Sequence, residues 1–359
     1  MPLRVVTILG TRPEIIRLSR LIPALDAACG HLLVHTGQNH DERLSDLFFR
    51  ELGVRPPDIA LGIRADSFGQ QVAAIIAESE RVLAETRPDR VLILGDTNSG
   101  LAALVAARMG IPVVHMEAGH RCLDVRVPVE INRRVIDHCS AVQLPYTHGS
   151  ADNLRREGIP EERIVVTGNP INEVLRHYAP EIAASRVHAG LGTAPGGYLL
   201  ATLHRQENVD VPERLRMIAE SLDLLAAEFG LPVVCSLHPR TARRLAEQGV
   251  SPVDPRVRLL PPFGFFDFVA LERDARLVLT DSGTVQEECC ILGVPAVTMR
   301  DVTERPETIA CGSNLLAGVE PEAVLAAARA APAPGSWTPP AEYLAGRVSE
   351  TVRDLLLAG

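Results

Sequence analysis

The sequence contains no lysine: all 36 residues of its Lys+Arg total are arginine. A Schiff-base lysine, a pyridoxal-phosphate lysine and a Walker A lysine are therefore excluded. Any phosphate must be held by Arg, by backbone N–H groups or by a helix N-terminus. Apolar runs never exceed seven residues, which is too short for a membrane span or a signal-peptide core. No long basic run exists and the net charge is -9, against a nucleic-acid face. The 7 cysteines are odd in number and form no C-x-x-C pair, so they read as reduced, packed thiols of a cytoplasmic protein. The histidines are scattered, H-E-x-x-H is missing, and no metal set emerges. Neither G-x-S-x-G nor a helix-opening G-x-G-x-x-G is present. Aromatics make up only 4%, and Phe263, Phe265, Phe266 and Phe268 supply half of the 8 phenylalanines, mostly as core with one free to stack on a base.

What is present is alternation. Val5 to Leu9, Leu32 to His35, Val91 to Leu94, Val113 to Met116, Ala141 to Leu144 and Ile164 to Val166 read as buried strands. Helical patterns separate them, as in Phe68, Val72, Ile75, Ile76, Val82 and Leu83. The Gly- and Pro-rich stretch 188–198 breaks the rhythm and is the best linker. Strands then resume at Tyr198 to Thr202, Val233 to Leu237, Val257 to Leu260, Leu277 to Thr280 and Ala296 to Met299, before a last amphipathic stretch from Ala341 to Leu357. With 359 residues, two domains are expected. The pattern predicts an α/β protein of two doubly wound, Rossmann-like domains facing a cleft, with ligands at the carboxyl ends of parallel strands. The expected boundaries are 1–185, 195–338, and a terminal helix at 340–359 packing back on the first domain.

The residues just after each strand carry the chemistry. Gly10-Thr11-Arg12-Pro13-Glu14 is either a plain strand–helix turn or one that offers Arg12 and free N–H groups to an anion. Taken alone, Asp96 reads as a helix cap. Glu117 is costly at the end of an apolar strand unless paired or catalytic. Together they are two acids at adjacent strand ends, the arrangement acid–base chemistry needs. In the second half His204 is clustered with Arg205, Glu207 and Asn208. Thr280-Asp281-Ser282-Gly283-Thr284 runs from strand to helix, so the Ser282 hydroxyl and the N–H groups of Gly283 and Thr284 form a phosphate cradle. Glu288 stands one turn on, placed for ribose hydroxyls, and Arg305 supplies a second positive charge.

These segments resemble the UDP-N-acetylglucosamine 2-epimerase family. The resemblance is carried by Gly10-Thr11-Arg12-Pro13-Glu14, Gly37-Gln38, Gly95-Asp96-Thr97, Glu117-Ala118-Gly119, Glu130-Ile131-Asn132-Arg133, His204-Arg205-Gln206-Glu207-Asn208, Asp281-Ser282-Gly283, Gln286-Glu287-Glu288 and Glu304-Arg305-Pro306, in family order. The stretches Thr36-Gly37-Gln38-Asn39, Gly95 to Ser99 and His115 to Gly119 look like the branch acting on 6-deoxy or oxidised UDP-acetamido sugars. The resemblance implies a glycosyltransferase-B architecture, a cytoplasmic homodimer, a UDP-N-acetylhexosamine substrate and no metal or redox cofactor. It also implies the reaction: UDP leaves C1 as the C2 proton is removed, and the 2-acetamidoglucal is reprotonated from the other face as UDP returns. UDP-N-acetylglucosamine and UDP-N-acetylmannosamine are the first-choice pair. The alternatives are a modified UDP-acetamido sugar, a hydrolysing epimerase and a silent UDP-sugar binder.

By match, Asp96, Glu117 and His204 fall on active-site positions of the family. Arg12, Ser282, Gly283, Glu288 and Arg305 fall on UDP contacts, and Phe268 on the uracil-side aromatic. Three positions depart from the pattern. Val129 stands where a catalytic Glu is common, leaving the adjacent Glu130 as the replacement. Arg17 stands for a Lys among the binding residues. His120 follows Gly119, as a compensating acid–base group or as a surface residue.

Overall fold

The computed structural model describes residues 3–38 and 42–358; Asn39 lies outside them. The chain forms two compact units, Met1–Arg176 with Ala341–Gly359, and His177–Pro340. The first holds a parallel sheet of β1 (Arg4–Leu9), β2 (Gly30–His35), β3 (Ile59–Ala60), β4 (Arg90–Leu94), β5 (Val113–Met116) and β6 (Val142–Leu144). The second holds β7 (Leu199–Leu203), β8 (Val233–Leu237), β9 (Val257–Leu260), β10 (Leu277–Thr280), β11 (Ala296–Thr298) and β12 (Asn314–Leu316), also parallel.

The orders are β3-β2-β1-β4-β5-β6 and β12-β11-β10-β7-β8-β9. Counted from its own first strand, each sheet is therefore 3-2-1-4-5-6, the doubly wound order expected. In such a sheet successive helices lie on opposite faces to either side of the first strand. The loops after strands 1 and 4 of each unit then diverge and leave a crevice at the carboxyl edge. Here those loops are Gly10–Thr11 with Gly95–Thr97, and His204–Arg205 with Asp281–Ser282.

Helices cover both faces, which is why the central strands are mostly apolar: Val5, Val6, Ile8 and Leu9 in β1, and Leu199, Leu200 and Ala201 in β7, are all buried. The helix Phe68–Thr86 starts at Ser67, whose hydroxyl accepts the Gln70 N–H, and ends at Arg87 in the left-handed region. Its buried stripe, Ile75, Val82 and Leu83, packs on Val6, Ile8, Val91 and Ile93. Phe68, expected within the apolar pattern, stands exposed at the first turn.

Several expectations differ from the structure at the edges. Ile164–Val166 is not a strand; it makes one bridge, from Gln143 to Ile164, because β6 gives way to Pro145, which has no N–H to extend the ladder. The edge strands β3 and β12, two and three residues long, are too short to show a period. The chain enters the second unit at His177, upstream of the expected boundary at 185. The stretch 188–198 lies inside that unit: His188 bonds Asp274 and Thr193, and the Gly196 N–H donates to the Asp274 carbonyl. The final amphipathic stretch is broken into a turn, Ala341–Leu344, and a helix, Val348–Leu357, within the first unit. There the Arg90 guanidinium donates to the carbonyls of Leu355, Leu356 and Ala358. Among the described residues, no helix is long and apolar enough to cross a membrane.

Candidate active site

In the first unit, the crevice begins at Gly10. A Cβ there would lie 2.2 Å from both Thr36 Oγ1 and Ser99 Oγ, so only glycine lets the turns after β1, β2 and β4 approach. Thr36 and Ser99 share a 2.7 Å hydrogen bond, and Gln38 Oε1 accepts from the Ser99 N–H and hydroxyl. Glu14, on the helix Arg12–Leu18, turns back to accept from the N–H groups of Gly10 and Thr11 and from the Thr11 hydroxyl. Its other oxygen accepts from Thr97 at 3.2 Å. Burial outweighs these donors and pushes the Glu14 carboxyl up to about 7. Arg12 is half-buried, with its guanidinium 5.6 Å from the Phe48 ring centroid.

Glu117, directly after β5, has a φ of +66°, an uncommon backbone for a residue with a side chain. Its carboxylate is ion-paired with the buried Arg17, whose guanidinium also lies over the Tyr146 ring. The Tyr146 hydroxyl is 3.5 Å from Oε2, and His120 Nδ1 is 3.5 Å from Oε1. Arg17 thus acts as the partner of a carboxylate in this unit. His120 is 1% exposed, so the surface reading of that residue is wrong: it packs edge-on against Tyr146.

Asp96, after β4, accepts from Arg133 Nε at 2.8 Å, while Asn132 donates to the Asp96 carbonyl. The same Arg133 donates to Glu130 Oε2 at 2.9 Å. Glu130 is completely buried and also accepts the Cys122 N–H. Burial raises its carboxyl, but that N–H and Arg133 together bring it below the ordinary carboxylate range. Beside it, Val129 is half-buried in the first turn of the helix Pro128–Cys139. Glu130 is thereby committed to Arg133 and to the loop through Cys122.

Sequence reasoning missed the support beneath these acids. His115, inside β5, places Nδ1 2.7 Å from Asp137 Oδ1 and Nε2 2.9 Å from the Gly95 carbonyl. Asp137 also accepts from the Gly119 N–H and from Arg121, which in turn pairs with Glu157. This buried chain braces both Gly95–Asp96 and Glu117–Gly119. A histidine inside an apolar strand was the available signal, but nothing in the sequence pairs it with Asp137.

In the second unit, Asp281 organises the crevice. Fully buried, it accepts the N–H groups of His204 and Arg205 and the Asn208 amide. Burial raises its carboxyl above the usual range despite these donors. The His204 ring stands 40% exposed, with Nδ1 3.3 Å from Asp281 Oδ1. Ser282 precedes the helix Gly283–Leu292, and Thr284 sits half-buried in its first turn. A Cβ on Gly283 would lie 2.6 Å from Glu304 Oε1 and 3.6 Å from the Arg305 guanidinium carbon. Arg205 and Arg300 both pair with Glu304, and Arg305 pairs with Glu287 at 2.5 Å. The structure thus gathers Arg205, Ser282, Gly283, Thr284 and Arg305 at one helix N-terminus.

Glu288 is buried one turn further along that helix, beside Glu272. Burial and the neighbouring Glu288 hold the Glu272 carboxyl well above the ordinary range. Phe268, half-buried, precedes Glu272 by one turn on the helix Phe265–Arg273. None of the seven cysteines is disulfide-bonded. Among the described residues, no group of three or more His, Cys, Asp or Glu is arranged to hold a metal ion.

Two doubly wound units, each with charged and polar groups gathered at its switch point, define the class: a two-domain, doubly wound α/β protein. Comparison with known proteins gives the particular family. The family profile described as UDP-N-acetylglucosamine 2-epimerase matches residues 24–357. A UDP-N-acetylglucosamine 2-epimerase of Methanocaldococcus jannaschii is 41% identical over 328 residues, covering 89% of this chain and 90% of the relative. A UDP-2,3-diacetamido-2,3-dideoxy-D-glucuronate 2-epimerase of Pseudomonas aeruginosa is 38% identical over 333 residues, covering 91% and 92%. The crystal structure of the Methanocaldococcus jannaschii UDP-GlcNAc 2-epimerase in complex with UDP-GlcNAc and UDP superposes with a TM-score of 0.93 at 38% identity, covering 100% of each chain. The chain belongs to the UDP-N-acetylglucosamine 2-epimerase family and is an epimerase-type enzyme.

Proposed function

We propose that the chain is a non-hydrolysing 2-epimerase that interconverts UDP-N-acetylglucosamine and UDP-N-acetylmannosamine. The observation that carries this reading is the pair of carboxylates after adjacent strands, Asp96 and Glu117, each held by a buried arginine. Inversion at C2 needs one proton carrier on each face of the sugar. Asp96 and Glu117 take these roles: one removes the C2 proton as the C1–O bond to UDP breaks, and the other protonates C2 of the glucal from the opposite side. UDP then re-forms the C1–O bond, so atoms balance and no co-reactant is consumed.

The second unit holds the leaving group. The Gly283 and Thr284 N–H groups, the Ser282 hydroxyl, Arg205 and Arg305 meet the diphosphate, with His204 facing the departing oxygen. Arg12 is a UDP contact by family resemblance. Glu288 serves the ribose hydroxyls and Phe268 the uracil face. Glu130, committed to Arg133, acts by positioning Asp96 through that shared guanidinium. A cytoplasmic homodimer is part of the same reading.

A second substrate is favoured by a specific likeness, since the Pseudomonas aeruginosa relative acts on a UDP-diacetamido-glucuronate. Incubating the enzyme with each UDP-sugar in D2O and following C2 by NMR separates the possibilities. Deuterium at C2 with an interconverting UDP-sugar pair supports the epimerase. Free N-acetylmannosamine plus UDP identifies a hydrolase, and UDP binding without C2 exchange a silent binder.

A further inference from the structure

The ribose role given to Glu288 makes a demand on its protonation. A carboxylate accepts from both ribose hydroxyls, whereas a carboxylic acid gives up part of that capacity to its own hydrogen. Glu288 lies buried on the helix Gly283–Leu292, and the carboxyl beside it, Glu272, is 0% exposed on the helix Phe265–Arg273. Two ionised carboxylates in such a place are costly, because each is desolvated and each repels the other. Among the described residues no arginine pairs with Glu272 to offset this; Arg273, next in the chain, turns to Asp274. Glu272 Oε1 accepts the Cys289 thiol at 3.2 Å, and no N–H, hydroxyl or thiol among the described residues reaches Oε2. The remaining hydrogen bond of Glu272 is to the Glu288 carboxyl itself. Two carboxylates have no hydrogen to offer each other, so that bond requires one proton between them.

We propose that Glu272 is a positioning residue for the nucleotide: it keeps one proton and donates it to Glu288, which holds Glu288 as a carboxylate aimed at the ribose. This rests on the ribose role of Glu288 in the reading above. The deeper position of Glu272 decides where the proton sits, since burial and the adjacent Glu288 both push its carboxyl well above the ordinary range. The other titratable group at the pair is the Cys289 thiol, with Cys290 beyond it. Burial and the two glutamates push that thiol up, so it stays a neutral donor to Glu272. Glu272 acts through Glu288 and does not touch the nucleotide. Phe268 precedes it by one turn, so a single helix carries both the proposed uracil contact and the support of the ribose contact.

The test compares the affinities of UDP and 2′-deoxy-UDP, by calorimetry, in the wild type, Glu272→Gln and Glu272→Met, with Glu272→Leu as a second apolar variant. The wild type is expected to bind UDP about tenfold or more tighter than the deoxy analogue, as befits a hydrogen bond to a charged group. The Gln amide accepts the Cys289 thiol and donates to Glu288 as the protonated carboxyl does, so it keeps that preference within about twofold. The apolar variants lose the donor, and their preference falls to about twofold or less. A purely structural role weakens both nucleotides alike and leaves the ratio unchanged. Infrared difference spectra of the wild type against Glu272→Gln at pH 8 are expected to show the C=O stretch of a protonated carboxyl, where an ordinary glutamate is ionised. That measurement needs neither apolar variant. An unchanged ratio in the apolar variants, a ratio lost in Glu272→Gln, or no protonated carboxyl in the difference spectrum each overturns the inference alone. A wild type that binds both nucleotides equally overturns the ribose role of Glu288, and the inference falls with it.

Discussion

Glu14 accepts the hydroxyl hydrogen of Thr97 at 3.2 Å, tying the turn after the first strand to the turn after the fourth, next to Asp96. The contact is internal to the first unit, and it holds both walls of the switch-point crevice at the same depth. A buried carboxyl in this position also carries a pH signature.

The unfolded carboxyl titrates near 4.5 and the folded one near about 7. Between those values the folded state binds more protons, so its stability declines as pH rises and is level above pH 7. Glu14→Gln keeps the shape, with its oxygen accepting from Gly10 and Thr11 and its amide donating to Thr97. Urea unfolding at pH 4.5 and pH 8 is expected to show the variant gaining up to about 3 kcal/mol on the wild type across that window. Parallel stability–pH curves contradict the assignment.

Asp96→Asn and Glu117→Gln each retain the hydrogen bonds to their arginine while removing a proton carrier. UDP affinity by calorimetry is expected to stay within about threefold, because neither residue is among the proposed diphosphate-binding groups. Epimerisation falls by roughly 100- to 10,000-fold. Wild-type turnover in either variant removes that residue from the proposed chemistry.

Gly283→Ala puts a methyl group 2.6 Å from Glu304 Oε1. The carboxylate has to swing away, which costs it Arg205 and Arg300 and disturbs the helix N-terminus beside Arg305. UDP binding is expected to weaken about tenfold or more, corresponding to about 1.4 kcal/mol, and the melting temperature to fall as the buried pair with Arg300 is lost. Unchanged affinity shows that the diphosphate is held elsewhere.

Asp137→Asn weakens the brace beneath both proposed catalytic acids. It leaves Arg121 with one ionic partner and turns a carboxylate that accepts from His115, Gly119 and Arg121 into an amide. Removing one side of a buried pair typically costs about 3–5 kcal/mol. Chemical denaturation of the variant measures that loss directly, and a stability within about 0.5 kcal/mol of wild type contradicts a structural brace.

The strands legible in the sequence are those buried on both faces. Continuous apolar runs such as Val91 to Leu94 and Leu277 to Thr280 have one stable environment, the middle of a covered parallel sheet, and their order along the chain implies two doubly wound units. The turn residues were legible for the same reason. A polar group following an apolar strand is either capped, paired or exposed to a ligand, so Asp96, Glu117, His204 and Ser282 stood out without coordinates. Weak edges were illegible because β3 and β12 are shorter than one period of any pattern.

Tertiary structure alone decided what each charge is for. The sequence offers Glu130 and Glu117 alike as candidate catalytic carboxylates, the first by its family position beside Val129 and the second at a strand end. Burial against Cys122 and Arg133 makes the first a support, whereas a left-handed turn presents the second to Arg17, Tyr146 and His120. Likewise His115 and Asp137 are 22 positions apart and share no motif, yet a strand and the following helix bring them to 2.7 Å. Apolar burial depends on residue type and local period, which a sequence states outright. Ion pairing in a low-dielectric interior depends on which long-range neighbours arrive, and that is settled only once the chain is folded.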